Sequence, residues 1–266
     1  MKLHLYQLDA FTSRLFGGNP AAVVVLDEWL PDSVLAAIAA ENNLAETAFV
    51  IPRPGISPLR WFTPTVEIDL CGHATLAAAD VLFRYRFPAL NRLTFSTRSG
   101  ELAVTRDEKL LKMDFPARPG KPIGVTEALV SALGTQPREA YLARDLLAIF
   151  DSESEVRSLC PDLQRIASLD AFAVIVSAPG DTVDFVSRFF APAAGIPEDP
   201  VTGSSHCTLV PYWAARLGKN SLTAMQVSPR GGDLLCEFRG DRVVIAGHVV
   251  EYLRGEIEID IEGSAS

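Results

Sequence analysis

Arg60-Trp61-Phe62-Thr63-Pro64, then Glu67-Ile68-Asp69-Leu70-Cys71-Gly72-His73-Ala74-Thr75-Leu76, has a counterpart about half a chain later. The counterpart is Ser187-Arg188-Phe189-Phe190-Ala191-Pro192, then Gly195-Ile196-Pro197-Glu198-Asp199-Pro200-Val201-Thr202-Gly203-Ser204-Ser205-His206-Cys207. Each copy runs from an aromatic strand through a Pro-bearing turn to an acidic residue, then to a Gly that opens an apolar helix. The repetition predicts two α+β halves, each wrapping several strands round one apolar helix, as duplication followed by divergence would leave them. A helix start leaves backbone N–H groups unpaired and carries partial positive charge. Two such starts facing one cleft would hold an anionic small molecule from two sides.

Working outward, residues 2–9 alternate apolar and polar as a strand does. Gly17-Gly18-Asn19-Pro20 is a turn, and Ala21 to Leu26 reads as a buried strand by length and β-branching. Pro31-Asp32-Ser33 starts a helix running to about Asn42. Leu44–Ile51 and Leu59–Phe62 read as strands. The helix from Gly72 to about Arg84 is apolar nearly all round, which predicts burial. Short strands follow at Arg92–Ser96, Glu101–Arg106 and Leu110–Phe115. The Pro- and Gly-dense run Phe115 to Pro122 is the best domain boundary. This gives halves 1–116 and 117–254, with about 255–266 as the segment that could return to complete the first. The second half holds helices at Thr126–Leu133, Pro161–Ala167 and Gly203–Leu217, the last bent by Pro211. Its strands lie at Tyr141–Phe150, Ala171–Val176, Asp184–Phe190, Met225–Val227, Asp233–Arg239 and Arg242–Gly247, and Gly255–Ile261 closes the chain.

The chain has 266 residues, 48% hydrophobic and 21% charged, an ordinary globular balance with room for a sizeable core. Net charge is −9 with no basic cluster, which argues against nucleic acid or an anionic membrane as partner. No apolar run approaches a membrane span, and no secretory leader is expected from the strand-like start. Cys71, Cys160, Cys207 and Cys236 form no CxxC pair or disulfide framework, so a reduced, cytoplasmic protein is expected. Neither a dinucleotide fingerprint nor a P-loop occurs, and no cofactor is expected.

Glu46 is the first candidate for chemistry. On a strand it shares a face with Leu44, Ala48 and Val50. Partial desolvation there would suit a general base; a solvated edge would make it plain surface. His73 follows Gly72 at a helix start and could bond a substrate or simply cap and pack. Asp69 and Asp199 precede the two helices, where the dipole favours an acid in any case. Ser204 and Ser205 open the second helix, where Ser is a default cap. Gly72 and Gly203 allow a ligand close to the backbone, and Ala74 joins them in the first turn of its helix. Cys71 beside His73, and His206 beside Cys207, fit no usual zinc spacing, so no metal site is expected. A Cys71 nucleophile is conceivable. A two-thiol mechanism is not, because Asp199 stands where the second thiol would be.

Several blocks together resemble the phenazine biosynthesis PhzF-like family. They are Asp9-Ala10-Phe11-Thr12, Phe16 to Val23, Asn43 to Phe49, Trp61 to Pro64, Glu67 to Thr75, Gly195 to Cys207 and Arg230-Gly231-Gly232. The resemblance implies a diaminopimelate-epimerase-like α+β fold. Two pseudo-symmetric halves would each curl a mostly antiparallel, barrel-like sheet round a central helix, with the site in the cleft between them. It implies a cofactor-independent isomerase, dimeric, acting on a small carboxylate. Glu46 takes the family's acid/base position, and His73, Asp199 and Ser204 fall where substrate-contacting or proton-relay residues lie. Ser205 departs from the commoner Ala. The leading expectation is therefore a proton and double-bond shift within one acid. An epimerase or racemase of an amino or hydroxy acid, or a non-catalytic binding protein on the same fold, are the alternatives.

Overall fold

The computed structural model describes residues 1–260. The chain folds as two compact units, Met1–Met113 together with the segment from Gly247, and Asp114–Ala246. The return to the first unit thus begins at Gly247, earlier than the 255 expected from sequence. Its strand, β18 (Val249–Glu258), lies antiparallel on β1 (Lys2–Ala10), pairing Ala10 with Val249 and Lys2 with Glu258. The expected end of that strand at Ile261 lies outside the described residues.

The rest of the first unit comprises β2 (Asn19–Val25), α1 (Asp32–Asn42), β3 (Glu46–Val50), β4 (Ile56–Phe62), β5 (Glu67–Ile68), α2 (Gly72–Tyr85), β6 (Arg92–Thr97), β7 (Gly100–Asp107) and β8 (Leu110–Pro116). Strands pair in the order β18–β1–β2–β3–β4–β6–β7–β8, with β5 laid on β4. Only β2–β3 and β4–β6 are parallel. Local chemistry sets the boundaries. Asn43, in the left-handed region at φ 47°, ends α1 by donating its N–H to Ala39 O at 3.2 Å, so β3 cannot begin at Leu44. Every residue of α2 from His73 to Ala79 is buried, and the helix packs on β1, β2 and β3. A separate apolar cluster joins Leu35, Ile38, Phe49 and Phe62.

The second unit comprises β9 (Lys121–Ile123), α3 (Glu127–Leu133), β10 (Glu139–Leu142), β11 (Leu146–Ile149), α4 (Glu153–Ser158), α5 (Leu163–Ala167), β12 (Val174–Pro179), β13 (Phe185–Ala191), β14 (Ile196–Asp199), α6 (His206–Leu217), β15 (Ser221–Gln226), β16 (Gly232–Phe238) and β17 (Arg242–Gly247). Its strands pair β9–β10–β11–β12–β13–β15–β16–β17, with β14 laid on β13. The two parallel junctions, β11–β12 and β13–β15, fall at the same places in the order as in the first unit. Each unit is therefore a mostly antiparallel sheet with its parallel junctions at matching places and an apolar helix entering after a short strand, β5 in the first and β14 in the second. Leu129, Phe150, Val176 and Phe190 belong to the second unit's core. Among the described residues, no helix is long and apolar enough to cross a membrane.

The second central helix does not open as an α-helix at Gly203. Residues Gly203–Ser205 form one 3₁₀ turn, and α6 starts at His206. Ser204 and Ser205 therefore cap nothing; the Ser205 hydroxyl donates back to Thr202 O at 2.7 Å.

Candidate active site

In the first unit, β3 runs between β2 and β4, so its whole length is buried and Glu46 is only 7% exposed. The solvated-edge reading of Glu46 is thereby overturned: both strand edges and both faces are covered. Its Oε2 lies 3.0 Å from Nε2 of His73, the second residue of α2. Neither atom makes an in-line hydrogen bond, so the contact is a charge pair that leaves both groups with unused hydrogen-bonding capacity. The opposite ring nitrogen, Nδ1, is 3.5 Å from Sγ of Cys71, the N-cap of α2.

Electrostatics divide the roles. Burial alone would push the His73 imidazole down, but the sulfur of Cys71 and the carboxylate of Glu46 outweigh it and hold His73 well above its ordinary value. Burial pushes the Cys71 thiol up to about 11. At neutral pH Cys71 is therefore an uncharged thiol, and Glu46 is the carboxylate beside the His73 ring. This removes Cys71 as a ready nucleophile, since the thiolate is the reactive form. Glu46, Cys71 and His73 are all metal-ligating types with donor atoms within 4.8 Å of one another. However, Cys71 addresses Nδ1 and Glu46 addresses Nε2, on opposite sides of one ring.

Gly72 and Ala74 flank His73 in the first turn of α2. A Cβ on Gly72 would meet only Met113 Cε, at an ordinary 3.5 Å, so crowding within the protein does not demand glycine there.

In the second unit, Asp199 ends β14 and its carboxylate accepts from the Thr202 hydroxyl. Buried Gln226 fastens this turn at both ends. Its Nε2 donates to Asp199 O at 2.7 Å, and its Oε1 accepts from the Thr202 N–H at 2.8 Å. Gly203 is buried, and the Ser204 hydroxyl accepts weakly from Arg144 at 3.4 Å. His206 is fully buried and donates from Nδ1 to Thr202 O at 2.9 Å. Burial pushes it down to about 4, so it is neutral at pH 7 and serves the turn as a structural group.

The structure thus brings Glu46, His73, Gly72 and Ala74 together in one unit, and Asp199, Gly203, Ser204 and Ser205 together in the other. The family described as Phenazine biosynthesis-like protein (PhzC-PhzF) matches residues 8–255. The chain belongs to the phenazine biosynthesis-like family. A curated relative in Pseudomonas aeruginosa, described as an uncharacterized isomerase, is 52% identical over 260 residues, covering 97% of this chain and 100% of the relative. The crystal structure of a PhzF-family protein from Enterococcus faecalis superposes with a TM-score of 0.96 at 49% identity, covering 97% of this chain and 100% of that one. A hydroxyproline epimerase from Agrobacterium vitis, crystallised with trans-4-hydroxy-L-proline, shares the fold at a TM-score of 0.61. It is 11% identical and covers 96% of this chain and 91% of its own. The fold is the diaminopimelate-epimerase-like one that the sequence predicts.

Within this family member, sequence reasoning passed over Gln226 and two arginine–glutamate pairs. Arg60 forks onto Glu67 with Nε and Nη2, both at 2.7 Å. Arg188 forks onto Glu198 at 2.7 and 2.9 Å. All four stand inside the repeated segments, so the signal was present: the same basic residue two positions before a Phe, and the same acid five before the Gly. Nothing local marks Gln226, which lies on β15, far along the chain from the turn it holds.

Proposed function

We propose that this protein is a cofactor-independent isomerase that moves a proton, and with it a double bond, within a small carboxylic acid. The reading is supported chiefly by a buried carboxylate, Glu46, set 3.0 Å from a protonated imidazole at the start of a buried helix, both with hydrogen-bonding capacity to spare. A substrate C–H gives its proton to the Glu46 carboxylate. The C–H electron pair becomes a new double bond, the old double bond's electrons shift toward the next carbon, and a proton is delivered there. His73 can donate to negative charge developing on the substrate. The backbone amides at the start of α2, beside a glycine that packing does not require, suit the substrate carboxylate. Catalytic Asp199, and substrate-binding Gly203, Ser204 and Ser205, enter this proposal from the repeat and the resemblance. A cytoplasmic homodimer is the proposed setting, tested by light scattering on the purified protein.

The test is a panel of unsaturated and cyclic carboxylic acids incubated in D2O with wild type and Glu46→Gln. Deuterium at a shifted carbon, absent in the variant, is the expected result. Deuterium with inversion at one stereocentre would instead favour an epimerase. Full turnover in Glu46→Gln would remove Glu46 from the chemistry.

A further inference from the structure

The two units carry the same polar device at the same place. In the first, Arg60 on β4 forks onto Glu67 of β5, and its guanidinium lies over the Phe62 ring at 5.1 Å. Its remaining nitrogen, Nη1, reaches Asp32 at the start of α1 at 2.9 Å. In the second, Arg188 on β13 forks onto Glu198 of β14 and lies over the Phe190 ring at 4.9 Å. Its Nη1 reaches the carbonyls of Val156 and Leu159 at the end of α4, at 3.1 and 2.8 Å. Both arginines are largely buried, 18% and 11% exposed. Only a planar guanidinium can fork, stack and reach a third partner at once.

Placement gives the forks a purpose. β4 is the partner strand of Glu46-bearing β3, with Thr47 opposite Phe62 and Ala48 opposite Trp61. β5 leads within a few residues to Cys71 and His73. The first fork therefore ties the strand beside the carboxylate to the segment that delivers the imidazole. Arg98 and Ser99 pin the same segment, at Glu67 (2.8 Å) and at Asp69 O (2.8 Å). In the second unit Glu198 immediately precedes Asp199, so the fork fixes the strand end from which Asp199 projects.

We infer that Arg60–Glu67 and Arg188–Glu198 are positioning pairs: the first sets His73 against Glu46, and the second sets the Asp199–Gly203 turn. This deepens the reading given above and rests on it, yet is measurable without turnover. Arg60→Lys and Glu67→Asp keep every charge while breaking the fork. Ring-nitrogen NMR of histidine-labelled protein, titrated from about pH 5 to about pH 10, follows His73 in both. Its midpoint is expected to fall by at least about one pH unit. Arg106→Lys is the control, since Arg106 stacks on Phe83 at 4.6 Å and bonds the Pro88 and Leu90 carbonyls without a fork; its midpoint should stay unmoved. If the fork variants leave the midpoint in place while Glu46→Gln moves it, the forks are mere structural ties and the inference is overturned, with the Glu46–His73 reading intact. If Glu46→Gln also leaves it in place, that reading falls as well. Unfolding of both fork variants overturns the inference too, because the pairs would then hold the fold rather than the site. In Arg188→Lys, hydrogen exchange at the Thr202 amide is expected to quicken about tenfold while β12 amides keep their protection. Unchanged exchange at Thr202, or loss of protection throughout the unit, overturns the second half.

Discussion

Replacing Glu46 with Gln keeps the side-chain volume and removes the carboxylate charge beside the His73 imidazolium. At 3.0 Å, with the effective dielectric of about 20 that suits buried pairs, a unit charge pair is worth about 5–6 kcal/mol. Burial of the imidazolium opposes this by an amount of similar order, and in the wild type the net result holds His73 above its ordinary value. Without Glu46 the Cys71 sulfur is left alone against burial, and Cys71, pushed up to about 11, is uncharged and opposes it weakly. His73 should then be neutral at pH 7 in Glu46→Gln and protonated in the wild type. The four histidines, His4, His73, His206 and His248, make ring-nitrogen NMR tractable. Linked stability supplies a second readout. A group held above its unfolded value binds protons in the folded state that the unfolded chain has released. Its stabilisation is therefore complete below about 6.5 and is lost as pH rises through the folded value. Denaturant midpoints should fall with alkaline pH in the wild type and stay flatter in Glu46→Gln. A neutral His73 at pH 7 in the wild type, or identical alkaline slopes in the two proteins, would refute the reasoning.

Three further outcomes are expected. His206, pushed down to about 4 by burial, must charge on acid unfolding, so its contribution is present above about 6.5 and lost as pH falls to about 4. This is on the order of 3 kcal/mol, read as the difference in acid slope between wild type and His206→Gln. Gly18→Ala places a Cβ 2.1 Å from Ala10 O at φ +64°. It should cost well over the roughly 1 kcal/mol expected for Gly195→Ala, where φ is +80° but no atom lies within 4 Å; thermal denaturation compares the two. Gln226→Met strips partners from Asp199 O and the Thr202 N–H. Each such buried group costs about 1–3 kcal/mol, and once a substrate is known turnover should fall further than the lost stability explains.

Much of the fold was legible because its signals are local. The apolar run behind Gly72 could only be a buried helix, and Thr126 and Gly134 bracket α3 with an N-cap bond and a left-handed C-cap. Helix α4 was legible but overlooked. Ser152-Glu153-Ser154-Glu155 is a capping-box pattern, and the Ser152 hydroxyl does accept from the Glu155 N–H at 3.3 Å. The doubled aromatic-strand segment likewise announced that one architecture is used twice, and strand pairing repeats junction by junction.

What the chain alone determined, then, is which residues are present and how often the pattern recurs, since periodicity, caps and turns act over a few positions. What only the tertiary structure decided is their environment. Glu46 is buried because β2 and β4 cover its strand from both sides, and it is charged against His73 because α2 enters 26 residues later in the chain at 3.0 Å from it. Desolvation and Coulomb attraction depend on distances in space, and no spacing along a sequence records those.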